Sequence, residues 1–182
     1  VSTVLNLTPD GVTFNGRVQL TPYIAPLFEI SFQLPAEWLV DQISVNGGNV
    51  PWQVGSRVAG WNEYDITLAA PLPVGQDATF TFRSHREVED WPVEETPAEF
   101  TLPVVRLPGA SVVEGTLVVT AGLDLDLVAT GLLGMDPTVV GEVGERLGFA
   151  FQSAEYEGSL TVTRKPSRIS AQTLSFTRLD RE

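Results

Sequence analysis

From Leu27 to Leu34 the chain alternates without a break, with Phe28, Ile30, Phe32 and Leu34 on one side and Glu29, Ser31 and Gln33 on the other. A period of two is the mark of a strand buried on one face and wet on the other. Pro35 stops the ladder because it has no N–H to donate. Ala36 to Leu39 then reads as one turn of helix. Ile43 and Val45 open another strand before Asn46-Gly47-Gly48, a tight-turn sequence. This stretch specifies a sheet core and carries no chemistry of its own.

The same grammar recurs along the chain. Thr3 to Leu7 and Val12 to Leu20 form a hairpin across Thr8-Pro9-Asp10-Gly11. Strands are predicted at Val50–Val54, Tyr64–Leu68, Ala78–Arg83 and Phe100–Leu107. Others fall at Ala110–Thr120 with a bulge at Gly115, and at Leu123–Val128. Leu147–Gln152 and Leu160–Arg164 make a second hairpin, and Ile169–Leu179 is the last strand. Asp136-Pro137 is a fair helix start, although Gly141, Gly144 and Gly148 keep any such helix short. About thirteen short strands at 8–12-residue spacing define an all-β fold, an antiparallel β-sandwich. Its organisation is either one domain over 1–182 or two packed β-subdomains, 1–95 and 96–182. The division would fall in the acidic, aperiodic run between His85 and Glu99. The expected core is Phe28, Ile30, Phe32, Leu34, Phe80, Phe82, Leu117, Val119, Phe149 and Phe151.

Composition narrows the function classes. There is no Cys among the 182 residues, which removes disulfides, thiol catalysis and thiolate metal sites. A single His, His85, leaves too little for a histidine-built metal site or a Ser-His-Asp triad. The formal net charge is −12 with eleven scattered cations, so nucleic acid and anionic membrane surfaces are not expected partners. No apolar run reaches the roughly 20 residues of a membrane-spanning helix. The chain opens at Val1 in strand-like sequence and closes on strand-like TLSFTRLDRE, so it reads as a segment of a longer polypeptide.

Three clusters are candidate sites. Asp124 and Asp126 share one strand face, about 7 Å apart. With an oxygen of Asp136 they could complete a Ca²⁺ shell, or serve as a glycosidase-like carboxylate pair; the plainer reading is a solvated strand face. Glu87, Glu89, Asp90, Glu94 and Glu95 surround His85, Arg86 and Trp91, which suits a cation or a basic partner, or simply an exposed acidic loop. Trp38, Trp52, Trp61, Trp91 and Tyr64 could stack on sugars if exposed in a row, or could pack in hairpins and core. No G-x-S-x-G, G-x-x-x-x-G-K or H-E-x-x-H motif is present, so no enzyme is expected.

The pattern F-x-I-x-F-x-L-P-x-x-W-x-V over Phe28–Val40, the Asn46-Gly47 turn and Arg168-Ile169-Ser170-Ala171 resembles β-rich stretches of very large exported or membrane-anchored bacterial proteins. That resemblance implies an extracytoplasmic structural module. The N-terminal half is also similar to β-sandwiches that precede catalytic domains in some large peptidases. The resulting expectation is a non-catalytic module for spacing, adhesion or protein–protein contact, with a protein or neighbouring domains as partner and no cofactor. A carbohydrate-binding module is the alternative. Trp52, Trp61, Tyr64, His85 and Trp91 are the expected contact residues.

Overall fold

The computed structural model of the chain describes residues 1–8, 11–88, 96–139 and 145–165. The predicted last strand, Ile169–Leu179, and the acidic stretch from Glu89 to Glu95 with Trp91 lie outside them.

The described residues form fourteen strands and no helix. In chain order these are β1 (Ser2–Thr8), β2 (Gly11–Leu20), β3 (Leu27–Pro35), β4 (Leu39–Val45), β5 (Gly48–Asn49), β6 (Trp52–Val58) and β7 (Trp61–Leu72). They continue as β8 (Ala78–Arg86), β9 (Ala98–Thr101), β10 (Gly115–Ala121), β11 (Leu125–Leu133), β12 (Met135–Pro137), β13 (Glu145–Phe151) and β14 (Glu157–Arg164). An eight-stranded sheet runs β12-β13-β10-β1-β2-β8-β4-β5, and two three-stranded sheets, β3-β7-β6 and β11-β14-β9, accompany it. The all-β, antiparallel, sandwich-like architecture read from the alternation is the one adopted.

One ladder departs from the hairpin pattern. β1 pairs in parallel with β10, Thr3 opposite Leu117 and Leu5 opposite Val119, so strands from both halves of the chain share the large sheet. Both are strands of alternating apolar residues, and the pairing buries Leu5, Leu7, Leu117 and Val119 on one face. Local turns cannot specify this contact, because nothing short connects the two strands.

Aromatic rings join the layers. Phe32 on β3 stacks on Phe82 of β8 with centroids 5.2 Å apart, lies 5.3 Å from Phe80, and stacks 5.3 Å from Tyr64 of its own sheet. Gly16 faces Phe82 across the β2–β8 ladder, and a Cβ there would collide with that ring. Glycine at this strand position is therefore a packing requirement. At the other end of the sandwich, Phe151 of β13 meets Tyr156 with ring centroids 4.5 Å apart.

Several local expectations are corrected. Phe28 is 65% exposed, because the β3–β7 register slips between Leu27 and Glu29 and drops it out of the alternation. The other nine expected core residues are buried. In place of a helical turn over Ala36–Leu39, Pro35 to Trp38 make a tight turn closed by the Trp38 amide on the Pro35 carbonyl (2.9 Å), and Leu39 already opens β4. Asp136-Pro137 opens no helix either. It belongs to edge strand β12, where the N–H missing from Pro137 can be tolerated. Phe100–Leu107 is strand only as far as Thr101, and Ala110–Thr120 only from Gly115, with the irregularity at Val119/Thr120 in place of Gly115. The strand predicted at Val50–Val54 runs on as β6 to Val58, and the turn into β7 is Ala59-Gly60, both with positive φ.

Substituting Phe32 by Ala should cost about 3–5 kcal/mol, from lost transfer energy plus the cavity left among three rings. Phe28→Ala should stay within about 0.5 kcal/mol. Urea denaturation of the two variants checks the pair; equal losses would mean that the inward face of β3 is misassigned.

Candidate functional site

The residues expected to bind a ligand are scattered and differently employed. Tyr64 is 2% exposed, and its hydroxyl donates to the Trp38 carbonyl at 3.0 Å, so it is core. Trp38 is buried too, tilted against Phe14. Trp52 is half-buried and packs edge-on to Tyr64. Trp61 is half-buried beneath Arg106. Among the described residues these rings therefore make no flat exposed row; Trp91 lies outside them.

His85 lies on β8, and its partner comes from a neighbouring strand. Its Nδ1 sits 2.8 Å from Oδ1 of Asp41. The β4–β8 register shifts between Val40 and Gln42, which leaves Asp41 as the extra residue beside His85. Arg86 approaches Glu37, also from β4's side, at 4.0 Å.

Asp124 precedes β11 and Asp126 lies on it. Cations of the chain already face them: Arg164 Nε is 3.7 Å from Asp124, and Lys165 Nζ is 3.1 Å from Asp126. Lys165 also donates its amide to the Asp124 carbonyl. Asp136 belongs to a different sheet, on β12. These three carboxylates therefore do not assemble as a common shell. Among the described residues, no three His, Asp or Glu side chains are grouped so as to hold a metal ion.

A concave feature arises where the sequence suggested only a broken strand. After β9, Pro103 ends the ladder and the chain crosses from the small sheet of β14 to the edge of β3 as a strap. Leu102 donates its amide to the Gly158 carbonyl at 2.9 Å, and the Tyr156 hydroxyl donates to the Pro103 carbonyl at 2.9 Å. Arg106 then exchanges two backbone bonds with Gln33, at 2.9 and 3.0 Å. A turn at Pro108-Gly109, closed by the Ala110 amide on the Leu107 carbonyl, sends the strap towards β10. Between this strap and the β13–β14 turn lies an open groove of about 690 Å³, with Gln33, Arg106 and Val112 on one side and Gln152, Ser153 and Glu155 on the other. The Ser153 hydroxyl accepts the Glu155 amide at 3.0 Å, which shapes the facing turn.

Arg106 is the distinctive group in the groove. Its guanidinium carbon lies 3.8 Å from the centroid of the Trp61 ring. Contact this close orders an otherwise flexible cation while leaving its in-plane N–H groups available. Sequence reasoning missed it. Arg106 sits in an irregular stretch 45 positions from Trp61, and no periodicity relates the two.

Neither a protein-family model nor any curated protein matches the sequence. The fold, however, is similar to solved structures. The M1 zinc metallopeptidase from Deinococcus radiodurans matches over 88% of this chain with a TM-score of 0.53 and 16% identity. A mutant of that enzyme bound to a Tyr-ser-ala substrate gives the same values, TM-score 0.53, 16% identity and 88% of this chain. A mutant of a two domain M1 zinc metallopeptidase bound to L-tryptophan gives 0.52, 16% and 88%. In each case the chain spans 41% of the length of the matched structure. At this identity the likeness establishes fold. It nonetheless corrects the expectation of a non-catalytic spacing, adhesion or sugar-binding module, and with it the expectation of no enzyme, because this fold occurs within zinc metallopeptidases.

Two measurements test the site assignments. Millimolar Ca²⁺ should leave the melting temperature within about one degree, because Arg164 and Lys165 already serve Asp124 and Asp126; a ligand at a hundredfold excess over its Kd would add about 2.7 kcal/mol. The anchor of the strap should show in alkali. Burial pushes the Tyr156 phenol well above its ordinary value, against a smaller opposing pull from the Val105 backbone. The unfolded phenol ionises near about pH 10. The associated stability is therefore complete below that pH and is lost as pH rises towards the folded value. Tyr156→Phe should cost about 1 kcal/mol at pH 7 and flatten the decline between pH 9 and 11 in urea titrations.

Proposed function

We propose that this chain is one domain of a larger peptide-hydrolysing enzyme with zinc metallopeptidase architecture. The observation that carries the proposal is the fold correspondence over 88% of the chain with the Deinococcus radiodurans enzyme, at a TM-score of 0.53. The sequence itself divides the labour. With one His in 182 residues it cannot contain an H-E-x-x-H pair, and that His is engaged with Asp41. Among the described residues no group of His, Asp or Glu fits a zinc ion, so an H-E-x-x-H zinc site and the hydrolytic step it serves would belong to protein outside this chain. The β-domain's contribution is a rigid wall, with the Arg106 groove open on its surface. Sites built on strands are held more accurately than sites on free loops, and Arg106 has that support through its paired backbone bonds to Gln33 of β3.

The test is hydrolysis by the polypeptide that includes this chain. Loaded with zinc, it should release amino acids from Tyr-Ser-Ala, and a chelator should abolish the release. Turnover that is absent with zinc, or unchanged after metal removal, would overturn the proposal.

A further inference from the structure

Beside Arg106 the groove is bordered by backbone that has no partner among the described residues. The strap's last held residue is Ala110, and β10 begins at Gly115. Between them Ser111, Val112 and Val113 make no hydrogen bond among the described residues. Backbone N–H and C=O groups are obligatory hydrogen-bonding groups, so this run is satisfied by water or by an extended chain laid against it. Val112, 75% exposed, lines the same groove with Leu107 and Pro108, which gives it an apolar side.

The charge pattern adds a direction. In a chain of net charge −12, Arg86, Arg164 and Lys165 are ion-paired; Arg17, Arg57, Arg83 and Arg106 pair with no described carboxylate, and of these Arg106 lines the groove. Its face is occupied by Trp61, and its edge is a fork of donors that matches a carboxylate. Glu155 lies on the facing turn, so the favourable end for an anion is the Arg106 end.

We infer that the groove binds an extended peptide, pairing its main chain with Ser111–Val113 and seating a peptide carboxylate on Arg106. The inference rests on the reading of the chain as part of a peptide-hydrolysing enzyme, and it names the ligand chemistry of this groove. Main-chain pairing supplies affinity that tolerates sequence, and the Arg–carboxylate fork supplies polarity. The carboxylate can be a C-terminus or an Asp or Glu side chain.

The test is a nuclear magnetic resonance titration of the ¹⁵N-labelled 182-residue chain with three peptides. They are Ac-Ala-Val-Ser-Val-Ala as the free acid, its C-terminal amide, and the amide with Glu as the last residue. The acid should shift the amides of Ser111, Val112 and Val113, and the plain amide should bind about tenfold more weakly. Recovery with the Glu amide would assign the side-chain source, and its failure to recover would assign the terminus. Arg106→Gln should erase the acid's advantage and Arg106→Lys should keep part of it, with the spectrum elsewhere unchanged in both. Equal binding of acid and amide, shifts away from the strap, or no binding of any peptide at millimolar concentration would overturn the inference. Because the readout needs neither zinc nor turnover, a chain that prefers the acid within an enzyme that hydrolyses nothing would overturn only the peptidase reading. Hydrolysis without any carboxylate preference would overturn only this one.

Discussion

The sandwich depends on the contact between Phe32 and the pair Phe80 and Phe82, where β3 meets β8 across the two layers. Each ring, fully buried, contributes about 1.5–3 kcal/mol by transfer from water, and aromatic pairs add about 0.5–1.5 kcal/mol beyond area. The contact also dictates neighbouring choices. Position 16 must be glycine to admit Phe82. Tyr64 must keep its hydroxyl, because the ring that stacks on Phe32 carries that group into the interior, and the Trp38 carbonyl receives it. Trp38 Nε1 is the one buried side-chain polar atom among the described residues that lacks a partner. With Phe14 tilted 5.4 Å away, aromatic packing outweighs that loss at this position.

The groove follows from the way the chain changes sheets. Pro103 cannot continue β9, so the chain must cross open ground before it becomes β10. It is held there at two places, by Tyr156 from one sheet and by Gln33 from another. A strap pinned at its flank and free at Ser111–Val113 combines a fixed cation with available backbone. An irregular stretch in an otherwise regular sandwich is where a rigid scaffold can present chemistry. The Asp41–His85 pair arises by the same logic, since a register slip in β4 places one residue outside the ladder and aims it at a neighbour.

How much of this was legible depended on the range of the signal. The alternation over Ile30, Phe32 and Leu34 and that over Phe80 and Phe82 marked the core because side-chain direction in a strand is a local property. The alternation failed at Phe28 because a slip in the partner strand, encoded around Leu68–Pro71, is invisible from Phe28 itself. Asp124 and Asp126 were legible as carboxylates near one another. Their pairing with Arg164 and Lys165 depends on β11 meeting β14, some 40 residues later. Arg106 carried no signal at all.

The sequence by itself determined the class: short alternating strands, turn chemistry at Asn46-Gly47, and a single His that rules out a two-histidine metal motif within these residues. These follow from local geometry and from counting. Only the tertiary structure decided that β1 lies parallel to β10, that Trp61 lies beneath Arg106, and that the strap leaves a groove beside Ser111–Val113. Each is a meeting of segments distant in sequence. Burying apolar area drives such meetings, but that drive is non-directional, and register and crossing are settled only when the layers close together.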